Sequence, residues 1–87
     1  MLIQTTTKFD NSLDAQDSLR GLKDLPGFCY GYITEQNAQK FEVITIIKCQ
    51  SGDPAPTQKH VIDFCSGTNG ISTSPSILTP QNLEKKM

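Results

Sequence analysis

Three cysteines and one histidine carry most of the chemical potential of this chain: Cys29, Cys49, Cys65 and His60. Together they make the donor set of a Cys₃His zinc site. Structural zinc sites draw their ligands in close pairs such as Cys-x₂-Cys. Here the closest pair is His60 and Cys65, and a strand over residues 59–65 would send them to opposite faces. A Cys–His nucleophilic pair needs a base within hydrogen-bond reach and a third group to orient it. Asp63 is the nearest carboxylate in sequence to His60, and the same strand would put it on the other face. Asp10, Asp14 and Asp17 gather where a helix should begin, and capping and the helix dipole account for them without a ligand. A divalent cation wants more oxygen ligands at closer spacing. No glycine cluster forms a phosphate-binding loop, and no serine sits in a nucleophile elbow. The expectation is no catalytic residue, no metal site and no cofactor.

The elements that would hold these groups are organised around residues 28–49. This stretch has two runs rich in aromatic and β-branched residues on either side of Gln36-Asn37-Ala38-Gln39, the pattern of a β-hairpin. In the second run Phe41, Val43, Thr45, Ile47 and Cys49 share one face, and Glu42, Ile44, Ile46 and Lys48 share the other. Both faces are apolar at mid-strand, whereas a strand with one wet face alternates cleanly. A central strand, buried on both sides, is predicted. In the first run Phe28, Tyr30 and Tyr32 share one face and Cys29, Gly31 and Ile33 the other, and Gly31 leaves a gap for a neighbour to fill.

Before the hairpin, residues 2–9 read as a strand, with Ile3, Thr5, Thr7 and Phe9 on one face. A helix should follow over residues 13–25, capped by the Ser12 hydroxyl. Its apolar stripe is Ala15, Leu19 and Leu22. Gly21 inside it costs roughly 1 kcal/mol relative to Ala, and Pro26-Gly27 ends it. After the hairpin, Gly52, Pro54 and Pro56 predict a loop over residues 51–58. A strand is predicted over residues 59–65. Asn69-Gly70 suits a type I′ turn, with a weak edge strand over residues 71–74 that Pro75 would stop. Thr79-Pro80 could cap a short helix over residues 81–86. Residues 75–87 are expected to be a flexible tail whose removal after Ser74 changes stability little.

The 87 residues suffice for one small domain, which at this size buries only about 60–65% of its unfolded surface. A partner or a second copy would add burial. The net charge is -1, and Arg20 is the one arginine. With the lysines scattered, the basic stripe of a nucleic-acid binder is missing. No secretion signal is legible at Met1-Leu2-Ile3, and no apolar run approaches the roughly 18 residues of a membrane span. An odd cysteine count argues against a disulfide framework. The expected setting is the cytoplasm, with reduced thiols and no nucleic-acid or membrane partner.

Leu25-Pro26-Gly27-Phe28 opens a strand, a turn and a second strand that ends near Gln50-Ser51-Gly52. Over residues 2–52 this resembles the start of small antibiotic-biosynthesis-type monooxygenases, dimeric α+β barrels of ferredoxin-like fold. The resemblance implies a sheet with a helix packed on it and a second helix after residue 52, where this chain instead reads as loop and strand. It carries no catalytic residue onto this sequence.

The expected architecture is an α+β, two-layer domain over residues 1–74. It has a four- or five-stranded mixed or antiparallel sheet and one α-helix on one face. One narrow helix cannot cover both faces of the central strand, which leaves either the face with Ile44 and Ile46 or the one with Phe41, Val43 and Ile47 needing cover. The candidate binding residues are Ile44 and Ile46, with Tyr30 and Tyr32 as aromatic anchors if they lie on that face. The function that follows is a small non-enzymatic protein-binding module (a regulator, inhibitor or adaptor). It would bind another protein, or a second copy as a homodimer, through its open sheet face. The alternative is a small dimeric α+β-barrel-like enzyme or ligand-binding domain with an apolar pocket lined by Tyr30, Tyr32, Phe41 and Phe64.

Overall fold

In the computed structural model, which describes residues 1–49 and 52–78, the chain is an α+β fold with a four-stranded antiparallel sheet and two helices. The order is β1 (Leu2–Phe9), α1 (Ser12–Leu22), β2 (Phe28–Asn37), β3 (Lys40–Lys48), α2 (Ala55–Gly67) and β4 (Ser72–Leu78). The sheet order is β2-β3-β1-β4, and every neighbouring pair is antiparallel. Both β1 and β2 pair antiparallel with β3, so they run in the same direction with β3 between them. This is the connectivity of a split β-α-β, ferredoxin-like unit. The sheet is thus antiparallel at the lower of the two expected strand counts. The hairpin and β1 form where expected.

The expected single helix is corrected to two. Residues 59–65 are not a strand but lie within α2. Val61 and Cys65 are buried four residues apart, and Phe64 is half-buried beside them, which is helical spacing. A period of two fits the same seven residues only because the run is short. Pro54 and Pro56 do not break the helix because they stand at its start, where the backbone N–H groups have no intrahelical partner. The Asp53 Oδ1 accepts from the Ala55 N–H at 3.0 Å. The Asn69-Gly70 signal is real but does different work. Asn69 adopts φ 68° just past the C-cap Thr68, and the Gly70 N–H donates to the Cys65 carbonyl at 2.8 Å. This is a left-handed helix stop and not a hairpin turn.

Two further boundaries move. Asn11, not Ser12, caps α1, because its Oδ1 accepts from the N–H groups of Leu13 and Asp14. The last strand passes through Pro75 and ends at Leu78, so the domain end expected after Ser74 falls inside β4. A proline is tolerated there because β4 is an edge strand with one unpaired side. The short helix expected over residues 81–86 lies outside the described residues.

The core joins β1, β3 and both helices through Ile3, Phe9, Ala15, Leu22, Val43, Ile47, Cys49, Val61 and Cys65. Within it lies a polar layer. Thr5 and Thr45 share a hydrogen bond across β1 and β3. The Thr7 hydroxyl donates to the Cys65 thiol at 3.3 Å and lies 2.9 Å from the Thr73 hydroxyl. Ser18 Oγ comes within 3.5 Å of the same sulfur. These contacts satisfy groups that would otherwise cost about 1–3 kcal/mol each when buried. They also tie α1, α2, β1 and β4 together.

Two glycines allow close approaches. The Phe64 ring lies on Gly21, where a Cβ would stand 2.1 Å from Cζ. Gly27 has φ 85°, and its carbonyl accepts from the Lys48 N–H at 2.8 Å. The gap at Gly31 is filled by Leu19 and the Phe28 ring.

Candidate functional site

The register of the sheet brings the four candidate binding residues together. Tyr32 pairs with Ile44, and Tyr30 pairs with Ile46. On the other side of β3, Ile44 faces Thr6 and Ile46 faces Gln4. Because cross-strand partners share a face, these six residues form two adjacent rows on one side of the sheet. The tyrosine rings lie 5.5 Å apart and are tilted by 46°. Tyr30 is 59% exposed and Tyr32 40% exposed, while Ile44 and Ile46 are half-buried. The rows beyond each carry charge. Lys8 pairs with Glu42, and Lys48 faces Leu2. An apolar, aromatic centre inside a charged rim is the anatomy of a protein interface.

The expectation that β3 is central is met, since it lies between β2 and β1. Its burial on both sides is not. Val43, Thr45 and Ile47 are fully buried, whereas Ile44 and Ile46 are not. Thr34, on β2 opposite Glu42, has a buried hydroxyl with no hydrogen-bond partner. Sequence reasoning did not single out Thr6, Gln4 and Thr34. Only the β1–β3 register places Thr6 and Gln4 beside Ile44 and Ile46, and the β2–β3 register places Thr34 opposite Glu42; period-two alternation was the sole signal available.

The four residues proposed for an apolar pocket are not brought together. Tyr30 and Tyr32 belong to the Ile44 side of the sheet. Phe41 shares the Val43 side, and Phe64 sits on α2 against Gly21. A cavity of about 730 Å³ does open at the hairpin end of the sheet, where Phe9, Phe41 and Ile71 meet Lys8, Asp10 and Glu42. It is wide and rimmed by charges of both signs. A shallower hollow lies along α2 at Lys59, His60, Asp63 and Phe64.

The cysteines and histidine stay apart. Cys29 is exposed on β2, while Cys49 and Cys65 are buried. His60 is exposed on α2. Among the described residues no three His, Cys, Asp or Glu side chains gather as metal ligands. The strand-based separation of His60 from Asp63 falls with the strand, since three residues apart on a helix they are neighbours. The thiol of Cys65 nevertheless turns inward, to Thr7 and Ser18. Asp14 lies in the first turn of α1, where the dipole favours it, and Arg20 and Asp17 make a solvated pair at 3.8 Å. Among the described residues no helix is long and apolar enough to cross a membrane. Compared with known proteins, the chain matches no family model, no curated protein and no solved structure.

Proposed function

We propose that this chain is a small non-enzymatic protein-binding module that works in the cytoplasm as a regulator, inhibitor or adaptor. Its binding site is the sheet face that carries Tyr30, Tyr32, Ile44 and Ile46. In this reading the domain has two layers. Both helices cover the face with Ile3, Val43 and Ile47, and the other face is left for another protein or for a second copy. The observation that carries the reading is the tyrosine pair lying against two half-buried isoleucines in register. Tyrosine is a frequent interface anchor because it buries a large apolar body and keeps a polar tip. Burying an isoleucine is worth roughly 1.5–3 kcal/mol, and at Ile44 and Ile46 the chain by itself collects only part of that. Three unpaired thiols fit a reducing compartment.

The test is Ile44→Lys, with circular dichroism to follow the fold and capture from an extract of the source cells to follow binding. The expected result is an intact spectrum and loss of the proteins that the natural chain retains specifically. Unfolding by Ile44→Lys would mean that this face is closed from within, and the reading would fall. Unchanged capture by a folded Ile44→Lys variant would also remove it.

A further inference from the structure

The sheet has two edges, and they are built differently. The β4 edge has Pro75 at its middle and three serines, Ser72, Ser74 and Ser76. A proline removes a donor, and natural sheets use it to stop a further strand from adding. The β2 edge has no proline, and its irregularities are confined to the register shifts near its two ends. It is ten residues long, contains no proline, lysine or arginine, and has Glu35 as its one charge. Among the described residues β2 touches only β3 and α1. Among the described residues its outer side therefore presents backbone donors and acceptors with no strand beside them. Between the register shifts at Phe28/Tyr30 and Glu35/Asn37, residues 30–35 form a regular run.

We infer that the β2 edge pairs antiparallel with the β2 edge of a second copy, about a two-fold axis at Tyr32, to make one continuous eight-stranded sheet. The backbone sets the kind of partner, because only an extended strand can answer a row of N–H and C=O groups. Self-pairing is favoured by charge. In this register Tyr32 faces the partner's Tyr32, Tyr30 faces the partner's Thr34, and Gly31 faces the partner's Ile33. The two Glu35 carboxylates lie at opposite ends of the seam, so no like charges meet. Thr34, with its unpartnered hydroxyl, comes to lie on the seam beside a tyrosine.

The area at the seam is modest. At their exposures of 59% and 40%, Tyr30 and Tyr32 can contribute on the order of 200 Å² per copy, given the 150–250 Å² that an aromatic residue buries. A standard interface needs about 800 Å² per partner. The dimer is therefore dynamic and concentration-dependent. This proposal goes beyond the binding face. It places the tyrosine faces of two copies side by side and leaves both open to a further protein.

The test uses the full chain. Sedimentation should show a shift from monomer to dimer mass as concentration rises. Hydrogen exchange of alternate amides within residues 30–35 should slow in parallel. A spin label on Cys29, the exposed thiol, adds a distance. In the proposed register each Cys29 lies opposite the partner's Glu35, so the two Cys29 Cα atoms are about 20 Å apart, at about 3.3 Å per residue. Ile44→Lys should leave the dimer intact, because Ile44 lies one strand in from the seam. Monomer mass at every concentration up to about 1 mM would overturn the proposal. So would a dimer in which exchange along residues 30–35 does not change, or one that Ile44→Lys abolishes, which would mean that copies pack face to face. In those cases the binding face described above can still hold, because it is judged by capture of other proteins.

Discussion

Ile46 and Ile47 are adjacent in β3 and identical in composition, yet Ile47 is fully buried and Ile46 only partly so. The same contrast runs along the whole strand, with Val43 and Thr45 on one side and Ile44 on the other. Apolarity alone does not explain it. The buried side of the central strands includes Thr5, Thr7 and Thr45, whose hydroxyls had to be paired before they could be buried. The half-exposed side holds two isoleucines and two tyrosines that the isolated chain does not finish covering. The side that holds the fold together is thus the more polar at its centre, and the side that the fold needs less is the stickier. A small domain gains little by leaving such groups in water unless something else covers them.

Paired substitutions sharpen this contrast. Ile47→Ala should cost about 2–5 kcal/mol, the usual range for a buried aliphatic truncation. Ile46→Ala should cost about 1 kcal/mol or less, since its partial exposure forfeits less transfer energy. Urea unfolding of the two variants measures the difference, and equal losses would break the comparison. Truncation after Ser74 comes next. It removes the second half of β4 together with buried Leu78, so a loss of about 1.5–3 kcal/mol is expected from that side chain alone. An unchanged melting temperature would show that β4 beyond Pro75 adds nothing.

Gly21→Ala probes the helix pair. Alanine normally improves a helix by roughly 1 kcal/mol over glycine, but here its methyl would meet the Phe64 ring. Overpacking costs typically about 1–3 kcal/mol, so the net effect should be a loss of about 1 kcal/mol. Phe64→Leu in the same chain should recover part of it, and a double-mutant cycle reads that coupling. The smallest effect belongs to Thr34→Val. Replacing an unpartnered buried hydroxyl by a methyl of the same shape should be neutral or stabilise by up to about 1 kcal/mol. A clear loss in thermal unfolding would mean that the hydroxyl is satisfied in solution, by water or by a neighbouring chain.

What the amino-acid order by itself determined is what local chemistry decides. Alternation in residues 2–9 and 41–48 marks strands. The Pro26-Gly27 break, with Gly27 in the left-handed region, marks the entry to the hairpin. The pairing of Tyr30 and Tyr32 on one side of β2, and of Ile44 and Ile46 on one side of β3, follows from a side-chain period of two and needs no tertiary information. What only the tertiary structure decided is where local signals are ambiguous or long-range. Seven residues from Lys59 to Cys65 fit periods of two and of 3.6, and packing of Val61, Phe64 and Cys65 against the rest of the core chose the helix. Asn69-Gly70 signalled positive φ, and α2 used it as a stop. Pro75 looked like an end because a proline cannot sit in an inner strand, but at a sheet edge it costs no ladder bond. The β1–β3 pairing, between segments some forty residues apart, set which residues stand beside Ile44 and Ile46 on the side away from the tyrosines, because register is a property of two strands and neither sequence contains it alone.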